Sequence, residues 1–141
     1  MNISYTNIHE QVVDGNAGAS FKVLNNGDLI MMGEGESGYC VALPKSTFSY
    51  ITGIWPYELV DPRDYEGFCK LVDIVRSDIA KIYAVSPWTV DRLYLGLWVD
   101  DDHVCVEISV KVDNLFEATL IGNMGDQMSI YDAKNGEVIW L

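Results

Sequence analysis

Basic side chains are scarce in this sequence. Its 141 residues contain nine lysines and arginines against 21 aspartates and glutamates, so the formal net charge at pH 7 is −12. Contacts with nucleic-acid phosphates need a basic patch, and anionic membranes also attract basic segments, so this composition argues against direct binding to either. A basic protein is the kind of partner that the charge favours.

Cysteine and long apolar runs are scarce as well. Cys40, Cys69 and Cys105 are widely spaced and form no Cys-x-x-Cys pair, which favours free thiols in a reducing cytoplasm over a disulfide framework. Since no two ligands have zinc-like spacing, we expect neither a metal nor another cofactor. No apolar run approaches the roughly 18 residues that span a bilayer, and residues 1–10 lack the features of a signal peptide.

Alternating hydrophobic residues predict a long β-hairpin. Between positions 104 and 112 every second residue is valine or isoleucine, which is typical of a strand with one buried face. The strand before it, at 90–99, carries leucine and valine on one face and Arg92, Tyr94 and Trp98 on the other. Such a strand is expected to be central, or to meet a partner on its second face. An acidic turn, Asp100–Asp102, joins the two strands.

Apolar residues spaced three and four apart predict one long helix, at about 62–84. Asp61 and Pro62 are a favoured pair for the N-cap and the first helical position, and Ser86 followed by Pro87 ends the helix. We expect the helix to cover the hairpin face that carries the valines of the second strand.

The other segments complete an α+β domain. Strands at 20–24, 29–32 and 39–43 are expected to form a meander, and two more are expected at 127–131 and 137–141. Short helices are expected at 46–54 and, capped by Asp113, at 114–122. No linker or repeat divides the chain, so we predict a single domain over 1–141, in which a mainly antiparallel sheet of about six strands packs against the long helix.

Three sequence patterns could carry chemistry, and each has a simpler explanation. The glycine-rich stretch 33–38 matches G-x-G-x-x-G, but a strand follows it and two glutamates would repel phosphate, so it predicts a hairpin turn. The consecutive carboxylates of Asp100–Asp102 splay apart in a turn instead of surrounding a cation. His103 and Cys105 lie two apart on one strand, about 6.5–7 Å from each other, too far for a nucleophile and its base. We therefore predict no metal site or catalytic residue, and expect binding rather than catalysis.

The uneven charge suggests where binding occurs, since residues 100–141 carry nine acids and two bases. We expect an inhibitor that antagonises a basic, nucleic-acid-handling protein by electrostatic competition, as a nucleic-acid mimic does. Nucleases, defence complexes opposed by phage or mobile-element counter-defence, and toxins neutralised by immunity proteins are such targets. The predicted partner-binding residues are six acids and two aromatic anchors: Asp100, Asp101, Asp102, Glu107, Asp113, Asp126, Tyr94 and Trp98.

Two alternatives remain open from the sequence. One is a self-associating structural or assembly protein, a homodimer through the sheet face with Tyr94 and Trp98. The other is a small enzyme with a cryptic carboxylate or cysteine site. Steep salt dependence of binding would separate the inhibitor from the assembly protein, and a pocket with convergent polar groups would favour the enzyme.

Overall fold

A computed structural model describes residues 4–14, 18–32, 36–43, 58–59, 61–100 and 102–141. These residues form an α+β fold with one antiparallel sheet, which confirms the predicted class. The α-helices of the described residues are α1 (Tyr5–His9), α2 (Tyr65–Val85) and α3 (Leu115–Met124), with a π-helical turn at Glu10–Asp14 and a 3₁₀ turn at Pro87–Thr89. The strands are β1 (Ala19–Val23), β2 (Leu29–Met31), β3 (Tyr39–Ala42), β4 (Glu58–Leu59), β5 (Leu93–Asp100), β6 (His103–Val112), β7 (Ser129–Asp132) and β8 (Glu137–Trp140).

The β5–β6 hairpin forms the centre of the sheet, as its hydrophobic pattern predicts. Leu93 pairs with Val110 at one end and Asp100 with His103 at the other. The strand order is β2-β1-β5-β6-β3-β7-β8, and the two-residue β4 pairs with β6 beyond the end of β3. Both strands of the hairpin therefore have neighbours on their outer edges.

The predicted meander of the first forty residues is wrong at its third strand. β1 and β2 do pair as a hairpin, but β3 lies between β6 and β7. Cys40 and Val41 point to opposite faces of β3, and both are buried. A strand that is buried on both faces belongs inside a sheet, and this overrides the proximity of β3 to β2 in sequence.

One face of the sheet carries the main core, and we call it the helix face. Phe68, Val75 and Ile79 of α2 are fully buried there against Leu95 and Ile108 of the hairpin. The predicted packing of the long helix on the valine face is thus confirmed. Ala118 of α3 packs on the same side, in a smaller cluster with Val41 and Ile130.

Two predicted helix caps are wrong by a few residues. The N-cap of α2 is Asp64, whose carboxylate accepts a hydrogen bond from the Gly67 N–H at 3.0 Å, whereas Asp61 forms the turn before the helix. The N-cap of α3 is Asn114 and not Asp113. A cap must be the last non-helical residue, because its side chain accepts from the N–H two or three positions later. The helix predicted at 46–54 lies outside the described residues.

Candidate binding surface

The second face of the sheet, opposite α2 and α3, contains a trough of about 1590 Å³. Its floor is made of small residues on four strands: Ser20, Gly96, Ser109 and Ala42. The register explains their grouping, since Ser20 lies opposite Gly96 and Ala42 lies opposite Ser109. Because cross-strand partners point to the same side of a sheet, these short side chains leave a depression on the second face.

Large apolar side chains form the walls of the trough. Trp98 rises from β5, and Tyr131 and Trp140 rise from β7 and β8 on the other side. Trp140 is 72% exposed, and Met124 and Met128 are 76% exposed each. Extended apolar surface of this kind marks interaction sites in soluble proteins. Methionine adapts its shape to different partners, and aromatic residues are enriched in protein interfaces.

The size of the trough indicates what kind of ligand it fits. Its lining runs from the end of β2 to β8, seven strands along the sheet order, which at about 4.8 Å per strand spacing is about 29 Å. Small-molecule sites usually enclose about 300–1,000 Å³. A trough of this length and volume fits a segment of a protein, either a short helix or an extended strand.

Glu107 and Trp98 meet in this trough. The Trp98 indole N–H donates a hydrogen bond to the Glu107 carboxylate, and Glu107 lies opposite Gly96 on the floor. Burial raises the pKa of Glu107, and the Trp98 hydrogen bond opposes part of that rise. Of the predicted partner-binding residues, these two are in direct contact. Asp126, which has a positive φ of 54°, lies in the α3–β7 loop and also lines the trough.

Tyr94 is on the same face but does not present a surface. It is 2% exposed, and its hydroxyl donates to the Glu36 carboxylate at 3.1 Å. Lys111 forms an ion pair with Glu36 and lies 5.6 Å from the centre of the Tyr94 ring. Burial raises the pKa of Tyr94. Tyr94 therefore holds the end of the sheet together, and Trp98 is the better placed of the two predicted anchors.

The remaining predicted acids do not form one patch. Asp102 is exposed at the hairpin turn and contacts His103 at 3.1 Å. Asp113 lies past the far end of β6, and the ten residues of that strand separate the two by roughly 30 Å. Asp113 lines a smaller cleft of about 360 Å³ together with the basic residues Lys22, Arg92 and Lys111. Asp101 and the side chain of Asp100 lie outside the described residues.

Side chains with nucleophilic or metal-binding chemistry have structural surroundings. Cys40 is buried, which raises its pKa to about 11, so its reactive thiolate form is rare at neutral pH. The imidazole Nε2 of His9 lies 2.9 Å from the Pro62 carbonyl oxygen, and its ring packs edge-on against Tyr65 and Phe68. Within the described ranges, no group of three or more His, Cys, Asp or Glu residues could hold a metal ion. Among the helices that the structure describes, none combines the length and the apolar character needed to cross a membrane.

Sequence reasoning missed the β7–β8 wall of the trough. The alternation in that hairpin does place Tyr131, Val138 and Trp140 on one face, so the signal was present. This alternation indicates a trough wall only if β7 is known to lie beside β3. Strand order across ninety residues is not visible in local patterns.

Comparison of the chain with known protein families, with curated proteins and with solved structures returned no match.

Proposed function

We propose that this protein is a small acidic binding protein that holds a segment of a basic protein partner in its trough and thereby inhibits that partner. The trough carries the proposal, because its length and volume fit a protein segment and its walls are aromatic and methionine side chains. Trp98 and Trp140 have the residue type that most often supplies the binding energy of an interface.

The charge of the chain supports a basic partner. A net charge of −12 attracts cationic proteins at a distance and raises the rate of encounter. The trough adds two carboxylates, Glu107 and Asp126, beside one lysine, Lys134. The attraction therefore comes mainly from the molecule as a whole, whereas the apolar walls supply the contacts that hold the complex together.

Inhibition follows if the partner handles nucleic acid. The basic surface that such a protein offers to phosphates is the surface that a strongly anionic protein attracts, so nucleic acid and this protein compete for it. No catalytic step is required.

Capture from host extract, followed by competition, tests the proposal. The protein is immobilised and exposed to extract at about 0.05 M and about 0.5 M salt, a range over which screening of exposed charges increases strongly. We expect a basic protein that is captured at low salt and released at high salt, and whose binding to nucleic acid this protein blocks. An acidic partner, or a captured protein that still binds nucleic acid in the complex, would contradict the proposal.

A pair of charge reversals tests the electrostatic part separately. Asp102 and Glu66 are both exposed acids, but Glu66 lies on α2, on the far side of the sheet from the trough. Asp102→Lys and Glu66→Lys change the net charge equally. We expect Asp102→Lys to slow association with the captured partner more than Glu66→Lys does, since charge near an interface acts mainly on the association rate. Stopped-flow or surface-binding kinetics measure this, and equal rates for the two variants would remove the hairpin turn from the interface.

A further inference from the structure

Strand β8 is the last strand of the sheet in the part of the chain that the structure describes, and no described strand pairs with its outer edge. Among the described residues it pairs only with β7. Val138 and Trp140 of β8 are 53% and 72% exposed. The strand contains no lysine or proline, and Glu137 is its one charged residue. Proteins usually protect open edges with residues such as lysine and proline, because an unprotected edge offers unpaired backbone groups to another strand.

The register shows which backbone groups are available at this edge. The Leu141 N–H donates to the Met128 carbonyl oxygen at 3.0 Å. Hydrogen-bonded and non-hydrogen-bonded pairs alternate in an antiparallel ladder, so the pair Ile130–Ile139 is hydrogen-bonded and the pairs on either side of it are not. The N–H and C=O groups of Val138 and Trp140 therefore point away from β7, towards the open edge.

We propose that β8 pairs with β8 of a second copy of this chain, antiparallel, about a twofold axis at Ile139. In this register Val138 of each copy lies opposite Trp140 of the other. Each such pair exchanges two backbone hydrogen bonds, so all four outward groups of each strand are used. The sheets of the two copies join into one continuous sheet.

The side chains fit this twofold register. Val138 and Trp140 are on the same face of β8, so each valine packs against the tryptophan of the other copy, a favourable β-branched–aromatic pair. Glu137 of one copy falls opposite Leu141 of the other, so the two Glu137 side chains do not face each other. A twofold interface must be complementary to itself, and this strand meets that condition when it is centred at Ile139.

Area and charge set the strength and the salt dependence of this contact. A four-residue strand buries only a few hundred Å² per copy, less than the ~800 Å² per partner of a stable interface, so we expect a weak dimer. Two copies that each carry −12 repel one another, and salt screens this repulsion. Dimerisation therefore strengthens with salt, whereas the partner binding proposed above weakens.

Sedimentation of the chain across about 10 μM to 1 mM tests the dimer, because weak contacts dissociate in this range. Val138→Pro removes an outward N–H but leaves the ladder to β7 intact. Trp140→Lys removes the paired aromatic. Trp88→Lys is the matched control, since Trp88 is 70% exposed and lies in the Pro87–Thr89 turn of 3₁₀ helix.

We expect the parent chain and Trp88→Lys to dimerise alike, and both β8 variants to dimerise at least tenfold more weakly, with unchanged circular dichroism spectra. A parent chain that stays monomeric across the range would overturn the proposal. Undiminished dimerisation of Val138→Pro, or an equal loss in Trp88→Lys, would also overturn it.

A cysteine at the twofold axis tests the register. In the proposed register Ile139 lies opposite Ile139 of the other copy, in a non-hydrogen-bonded pair. Residues of such a pair have Cα atoms about 4.5 Å apart, within the range of about 4.4–6.8 Å that a disulfide bridges. With a mild thiol oxidant, Ile139→Cys is expected to give a covalent dimer. Val85→Cys, which places a cysteine at a site where the native side chain is 76% exposed, is expected to give far less. Equal cross-linking of the two variants would contradict pairing about Ile139.

Discussion

Side-chain volume explains why the two faces of the sheet differ. On the helix face, branched and aromatic side chains such as Phe68, Ile79 and Ile108 fill the space between sheet and helix and are fully buried. On the second face, Gly96 has no side chain, and a Cβ added there would lie 3.7 Å from the Glu107 carbonyl oxygen of β6, an ordinary van der Waals contact. The sheet is thus packed on one side and hollow on the other.

The close packing on the helix face predicts that core substitutions there lower stability. Ile79→Ala removes a fully buried side chain and leaves a cavity between α2 and the sheet, so we expect a loss of about 2–4 kcal/mol in the free energy of unfolding. Urea denaturation measures it, with Lys81→Ala on the exposed side of α2 as the control. Equal stabilities for the two variants would show that α2 does not pack as described.

The pH dependence of stability tests the surroundings of Glu107. Burial raises the pKa of Glu107 above its ordinary value of 4.5. The folded state then holds this proton more tightly than the unfolded chain, so the stabilisation is complete below pH 4.5 and is lost as the pH rises through the folded value. Glu107→Gln has no ionisable carboxyl at this position, so its stability does not fall in this way as the pH rises. We expect the variant to be more stable than the parent at pH 7, by a margin that shrinks towards pH 4.5.

Urea denaturation of both proteins between pH 4.5 and pH 7 checks this, and Glu66→Gln on exposed α2 controls for the change of one charge. A stability difference that does not vary with pH would show that the Glu107 carboxyl is solvated, and that the trough is wider there than the structure indicates.

At the level of single elements, the N-cap of α2 is Asp64 and not the predicted Asp61. Asp64 accepts a hydrogen bond from the Gly67 N–H, whereas Asp61 accepts from Arg63 in the preceding turn. Asp64→Ala should therefore lower the free energy of unfolding by about 1 kcal/mol, and Asp61→Ala should lower it less. Chemical denaturation distinguishes the two variants. A larger loss for Asp61→Ala would move the helix start back to the predicted position.

Elements with a strong hydrophobic periodicity could be predicted from the sequence, but the strands that lie beside them in the sheet could not. The β5–β6 hairpin and α2 have long runs of period two and period 3.6, so local pattern was sufficient to assign them and the face on which they meet. β3 has four residues, and its partners β6 and β7 are about 70 and 90 residues later. No local signal selects them.

The candidate site shows the same division. Trp98 and Glu107 are on one face of the predicted hairpin, and both line the trough. Tyr94 shares that face, but its burial depends on Glu36, 58 residues away, which periodicity cannot show. The acids were grouped by their position in sequence, and a ten-residue strand separates Asp102 from Asp113 in space.

At the scale of the whole molecule, the proposals for the trough and for the β8 edge can be separated by salt. Partner binding joins opposite charges and weakens as salt rises, and self-association joins like charges and strengthens. Measurements of partner binding and of self-association at the same salt concentrations therefore distinguish the two processes.

If the trough receives the partner, a side chain added to its floor should weaken the complex, and Gly96→Val adds one. The added side chain rises from the floor, where a Cβ fits without a clash. Valine also suits a strand better than glycine, so the variant should be at least as stable as the parent. The measurement is the dissociation constant for the captured partner, for the parent and for Gly96→Val. We predict at least a tenfold weaker complex for a variant that unfolds at the same or higher urea concentration; a folded Gly96→Val that binds as tightly as the parent would show that the partner does not enter the trough.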